Sequence, residues 1–213
     1  MRLVTFRRSP AMRLRAEFGF TLLELMIVVA IALILGAFAI VNGVSMARGF
    51  RLSEAATDYS NLLQQARISA VKFDTFYTVL TDTSSTPPKA FVNVKNPTSY
   101  VAGDPTVAFP RDVWPKSFSS GPNLSNLEAQ FLPSSGGLGT VNTVNSPTFS
   151  PRGLPCTPTT GTYTTCTSLA QPTSYITFFQ DNQSQKWTAV TVNPAGRIRR
   201  WSYDGSSSWR PVD

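Results

Sequence analysis

Histidine is absent from the 213 residues, which removes the commonest general base and metal ligand. The 12 acidic residues are scattered, and the many serines sit in neither a GxSxG nor an SxxK context. No enzymatic activity, metal or cofactor is expected. Chemistry is left to three places. Glu24 is the only charge in the apolar run 20–41. Cys156 and Cys166 lie in a stretch rich in Thr, Pro and Gly. Near the C-terminus, Arg197 and Arg199 stand with Lys186 and Trp201 close by.

Each group has physical alternatives. A charge at the centre of a membrane helix costs about 2.5–3.5 kcal/mol even on gentle scales, so Glu24 needs a compensating partner or a route to the headgroups. Two cysteines supply neither a four-ligand zinc site nor a CxxC redox pair. If the soluble part lies outside the cytoplasm, a Cys156–Cys166 disulfide is the natural reading, with two free thiols as the alternative. In a strand, Arg197 and Arg199 project to one face about 6.6–7 Å apart, close to the phosphate spacing of a nucleic-acid strand. Trp201 shares that face and could stack on a base. The competing reading is a solvated strand face with arginines guarding an edge.

The elements that position these groups start with the apolar run. Residues 20–41 form, as a helix, a span of about 33 Å against a bilayer core of about 30 Å. Five of the 19 basic residues precede the run against a single glutamate, so residues 1–19 carry +4 of the net +7. The high pI therefore belongs largely to this leader and says little about a nucleic-acid partner. By the positive-inside rule the N-terminus stays cytoplasmic and the remainder is exported. A cleaved secretory signal fits less well, because the run is long and no A-x-A site follows.

Gly19-Phe20-Thr21-Leu22-Leu23-Glu24, after a basic leader and before an uninterrupted apolar segment, resembles the class III signal of type IV prepilins and type II secretion pseudopilins. The resemblance implies that a membrane prepilin peptidase cuts between Gly19 and Phe20 and methylates the new amine of Phe20. The apolar segment is then retained, first as an anchor and later as the packing core of a helical filament. It also implies a partner for Glu24, the methylated amine of a neighbouring subunit. The 19-residue leader is longer than usual for the class; a start at Met12 would shorten it to eight without moving the cleavage site.

After the run, Asn42 and Gly43 mark an expected bend. Leu52, Ala55, Tyr59, Leu62, Ala66, Ala70 and Phe73 then recur every three or four residues, one apolar helix face awaiting a sheet. Strands are expected at 75–80 and 90–94, and as a meander at 175–180, 187–193 and 197–203, with turn sequences between. Residues 96–172 read as irregular loops with a few short strands and no long helix, with short apolar islands at 107–109 and 129–131. The fold class is α+β: a long N-terminal helix, half transmembrane and half amphipathic, packed on an antiparallel β-sheet head, as the resemblance to pilins also implies. The expected parts are a leader at 1–19, a membrane helix at 20–41, an amphipathic stem at 42–74 and a periplasmic head at 75–213.

Two further segments are similar to ones found in the GspH/FimT branch: Phe149-Ser150-Pro151-Arg152-Gly153 and Gly196-Arg197-Ile198-Arg199. The expected function is that of a minor pseudopilin in a type II secretion pseudopilus. The alternative is a minor type IV pilin that binds DNA for uptake through residues 196–199. The expected partners are prepilin peptidase, other pilins and an inner-membrane assembly platform, with DNA in the alternative.

Overall fold

The structure, a computed structural model, describes residues 21–94, 98–116, 122, 127, 140–142, 146–159, 163, 165–168, 173–182, 186–203, 205 and 208–212. Gly19, Phe20 and the island 129–131 lie outside the described residues. The chain forms two compact units, Met1–Val44 and Ser45–Asp213. Helix α1, Leu22–Lys72, starts in the first and ends in the second, and Asn42 and Gly43 are themselves helical.

In the first unit α1 opens on a cap. The Thr21 hydroxyl accepts the Glu24 backbone N–H at 3.2 Å, and Leu25 N–H reaches the Thr21 carbonyl at 3.2 Å. Thr21 is thus the N-cap and Glu24 the third helical residue, the spacing of a capping box, where an acidic side chain also favours the positive end of the helix dipole. Every Leu, Ile, Val, Met and Phe from Leu22 to Phe38 is 49–78% exposed. The helix is long and apolar enough to cross a bilayer.

In the second unit α1 buries Leu52, Ala55, Ala56, Tyr59, Leu62, Leu63, Ala66 and Ala70. Ala56 and Leu63 widen the expected stripe, because the helix meets two sheets instead of one. Phe73, expected on the buried face, is 59% exposed. The helix has ended there: Asp74 adopts φ +50° and Thr75 N–H bonds the Ala70 carbonyl at 3.2 Å, a Schellman arrangement with Asp74 in the place usually taken by glycine. Phe73 is turned outward, under the Lys72 ammonium and beside Tyr77. Because residues 73–75 close the helix, the first strand begins at Tyr77 and not at Thr75.

The first sheet comprises β1 (Tyr77–Asp82), β2 (Lys89–Val92), β3 (Thr106–Ala108), β6 (Thr148–Phe149), β7 (Pro155–Pro158) and β8 (Cys166–Ser168), in the order β3-β2-β1-β6-β7-β8. The second comprises β4 (Val113–Lys116), β9 (Thr173–Asp181), β10 (Trp187–Val192), β11 (Ile198–Tyr203) and β12 (Trp209–Val212), in the order β12-β11-β10-β9-β4, with β5 (Thr140–Asn142) parallel to β9. The meander expected from the sequence is β9-β10-β11; β12 and β4 extend it on either side. Alternation in β10 divides the interior into two layers. Val190 and Val192 join Tyr175, Phe179, Val79, Val92 and the buried α1 residues in one core. Ala189, on the opposite face, joins Ile176, Phe178, Trp201, Trp209 and Leu127 in another. Tyr59 anchors the first core, edge-on to Phe179 at 5.3 Å, its hydroxyl 3.2 Å from that of Thr177. Burial pushes its phenol up to about 12.

Candidate functional site

The chemistry of the first unit is concentrated in the opening turn of α1. Glu24 is exposed there, its backbone N–H held by Thr21, in a helix whose large apolar side chains face outward on all sides. A helix apolar all round must be covered by lipid or by other helices. Thr21 carries no chemistry of its own, and its signal in the sequence is the Thr-x-x-Glu spacing that precedes the apolar run.

The second candidate is the β10–β11 hairpin. Asn193 organises its turn: its side-chain oxygen accepts Arg197 N–H at 2.8 Å, its carbonyl accepts Gly196 N–H at 2.8 Å and its N–H reaches the Arg197 carbonyl at 3.0 Å. Gly196 has φ +78°, a conformation that a side chain resists. The expected phosphate-reading cluster does not assemble around this turn. Arg197 precedes the strand and is exposed, whereas Arg199 is half-buried in β11, with its Nε buried and without a hydrogen-bond partner among the described residues. Arg200 lies on the helix side, where it bonds the Thr57 hydroxyl. Trp201 is fully buried and donates its indole N–H to Thr191 Oγ1 at 2.9 Å. It is a core residue of the second layer, so the expected base-stacking role is corrected: alternation carries the side chain to the sheet's outer face, but Phe178, Trp209 and Ile176 cover it there. Lys186 is exposed beside the far end of β10, six residues or roughly 20 Å along the strand from Val192.

Other arginines meet at the turn instead. Arg67 of α1 donates Nε–H to the Gly153 carbonyl at 3.0 Å. A Cβ placed on Gly196 would stand 2.8 Å from that same carbonyl oxygen and 3.2 Å from the Arg67 guanidinium. The two glycine segments singled out in the sequence, 149–153 and 196–199, are therefore in contact, pinned to the helix by Arg67. Arg152 and Arg197, both exposed, flank the contact. None of these three arginines has an ion-pair partner among the described residues. The sequence signal for Arg67 is its place on the helix, one residue beyond Ala66 and at the border of the buried stripe.

Residues 14–40 match the prokaryotic N-terminal methylation motif. That match supports a type IV prepilin-like precursor. No curated protein and no solved structure matches it. The motif implies processing by a prepilin peptidase and assembly with other pilins, and it speaks for a structural subunit. The outward-facing apolar segment of α1, together with the motif, fits membrane anchoring. In its second unit, Cys156 of β7 is joined to Cys166 of β8, with Cα atoms 5.9 Å apart, and the Tyr175 hydroxyl bonds the Cys156 carbonyl. That arrangement ties the outermost strand of the first sheet to β7.

Proposed function

We propose that the chain is a minor pseudopilin of the GspH/FimT type that enters a type II secretion pseudopilus. Cleavage between Gly19 and Phe20, with methylation of Phe20, leaves Thr21 and Glu24 in the first turn of the mature helix. The N-terminus lies on the cytoplasmic side of the inner membrane, the helix crosses it once, and the β-rich head, stapled by Cys156–Cys166, lies in the periplasm. The inner-membrane assembly platform draws the subunit into the filament. The observation that carries this reading is the position of Glu24. It is capped at the third helical residue of a helix whose stretch from Leu22 to Phe38 turns no large apolar side chain inward. Among packed helices an unpaired carboxylate is costly, so the amine of a neighbouring Phe20 would offset its charge and set the axial register. Co-expression with a prepilin peptidase tests it: mass spectrometry should find N-methyl-Phe20 at the new N-terminus of both the parent and Glu24→Val. Only the parent should then cross-link into filaments with other pseudopilins. Normal assembly of Glu24→Val would sink the register argument.

A second reading, a DNA-binding minor pilin, is favoured by one observation: Arg67, Arg152 and Arg197 surround the Gly153–Gly196 contact with no ion-pair partner among the described residues. On this reading Arg197 and Arg152 carry the phosphate contacts, and Arg199, whose Nε is buried, contributes less. Duplex DNA binding should weaken in Arg152→Ala/Arg197→Ala, and its salt slope become shallower by about one for each phosphate no longer neutralised. A parent that does not bind duplex DNA at low salt would remove this reading and leave the first intact.

A further inference from the structure

The β1–β2 hairpin, residues 98–100 and Tyr163 border a cleft of about 360 Å³ on the face of the first sheet turned away from α1. It falls within the usual range for small-ligand sites, about 300–1,000 Å³. Leu80 and Phe91 are its buried floor, and Asp82, Ser84, Tyr100 and Tyr163 stand around it. No motif in the sequence pointed to this place, and the filament role makes no use of it.

The polar groups are set before any ligand arrives. Asp82 Oδ1 accepts both the N–H and the hydroxyl of Ser84, at 2.9 and 2.6 Å. These bonds hold the carboxyl below its ordinary range, so it is ionised at neutral pH. Its other oxygen lies 4.0 Å from the Lys89 ammonium, and a carboxylate oxygen can accept more than one hydrogen bond. Lys89 in turn sits 4.2 Å over the Tyr100 ring, and Phe91 meets that ring edge-on at 5.5 Å. Tyr100 is thereby fixed in orientation while 38% exposed. Tyr163 is held at φ +51°; its carbonyl accepts the Thr78 hydroxyl at 3.1 Å and its N–H reaches Thr159 at 3.3 Å. A non-glycine residue kept in the left-handed region by its surroundings is the kind of local strain that gathers at ligand sites.

Aromatic surface beside one carboxylate and one ammonium selects a particular ligand. A phosphate or sulfate group would be repelled by Asp82. A purely apolar molecule would strip water from the charged pair without replacing it. A pyranose ring offers C–H surface for the tyrosines and vicinal hydroxyls that donate to a carboxylate and accept from an ammonium. It carries no net charge, and neither does the Asp82–Lys89 pair. We propose that this cleft binds a neutral saccharide, with a sugar ring on the face of Tyr100 that Lys89 leaves open and its hydroxyls donating to Asp82.

The test is calorimetric titration of the full chain in micelles of a dimethylamine-oxide detergent, since sugar-headed detergents would compete. Maltohexaose, cellohexaose and chitohexaose are the probes. Saturable binding of at least one is expected, with Kd between about 10 μM and 1 mM, and weakening of about tenfold or more in Tyr100→Ala. Because Asp82→Asn would also loosen the Ser84 turn, Lys89→Met is the second variant and should weaken binding without disturbing that turn. Phe50→Ala, on the exposed side of α1, should bind as the parent does. The proposal is overturned if none of the three sugars gives a saturable heat, or if Tyr100→Ala and Lys89→Met leave Kd unchanged.

Discussion

Replacing Gly196 by alanine probes the contact between the two glycine segments. At φ +78° any side chain carries left-handed strain of roughly 1–2 kcal/mol. The new Cβ would also lie 2.8 Å from the Gly153 carbonyl oxygen, a backbone atom that cannot swing aside. For the clash to relax, the β6–β7 turn must retreat, yet Gly153 is itself backed by Val71 and Arg67, a Cβ there meeting Val71 Cγ2 at 3.0 Å. Any retreat lengthens the Arg67 Nε–Gly153 bond, now 3.0 Å, and loss of a hydrogen bond to a charged group costs about 1.5–3 kcal/mol. The sum is about 2.5–5 kcal/mol. Gly205 supplies the control: its φ is +89°, but nothing lies within 4 Å of a Cβ built there. Gly205→Ala should thus show only the backbone strain, roughly 1–2 kcal/mol. Thermal and urea unfolding of the Ser45–Asp213 unit, followed by far-ultraviolet circular dichroism, separates the two. The difference of about 1.5–3 kcal/mol corresponds to a Tm lower by about 3–12 °C for a unit of this size. Combining Gly196→Ala with Arg67→Met should cost less than the sum of the single losses, because both act on one contact. Equal destabilisation by the two alanines would refute the argument.

The remaining predictions rest on buried groups. Burial raises the Tyr59 phenol from its ordinary 10.0 to about 12. The unfolded chain therefore releases this proton first: the Tyr59 contribution is constant below about pH 10, then falls by about 2–3 kcal/mol through pH 12. Tyr59→Phe should flatten that alkaline slope in urea titrations while lowering neutral-pH stability by about 1 kcal/mol for the lost Thr177 bond. Cys156→Ser/Cys166→Ser opens a loop with sequence separation 10 and should lower the urea midpoint by the equivalent of about 2–4 kcal/mol; an unchanged midpoint would argue against a structural staple. Trp201→Ala should cost about 3–5 kcal/mol, as a large core truncation does. Trp201→Phe should cost less and leave any DNA affinity unchanged, which a base-stacking tryptophan would not.

Much of the fold was legible because long periodic patterns override local detail. The stripe from Leu52 to Ala70 was strong enough to specify an element and its buried side, and the three C-terminal runs were strong enough to specify strands. The misses occur where one residue decides the geometry. Phe73 continued the helical period on paper, but Asp74 takes a left-handed conformation that propensity assigns to glycine or asparagine, and the chain leaves the helix a step early. Ala56 and Leu63 were overlooked because a one-sheet picture needs only a narrow stripe. A few short strands were expected between 96 and 172, and the island 107–109 overlaps β3, but the bounds of the others were not legible: two to four residues hold too few alternations to stand out from loop composition, and their pairing is set by distant partners such as β1 and β9.

The sites divide along the same line. Glu24 stands out in the sequence because a single charge in an apolar run depends only on composition nearby; the structure adds the cap by Thr21, and its pairing in a filament belongs to the proposal. The arginines near the C-terminus were not, because their meaning depends on what covers each face of β11. Period-2 reasoning placed Arg199 and Trp201 together correctly, but a sheet with two cores has no free face in its centre, and Trp201 went to the interior. What brings charge together at the surface is the turn before the strand, where Gly196 allows the backbone to approach Gly153 and Arg67 closes over both. A glycine-arginine pair thus has a packing reason in its first residue and an electrostatic consequence in its second. Substituting the glycine should perturb the presentation of Arg197 without touching its charge. Any polyanion affinity at this turn should therefore fall in Gly196→Ala even under conditions where the variant remains folded, and fall least where high salt has already screened the arginines.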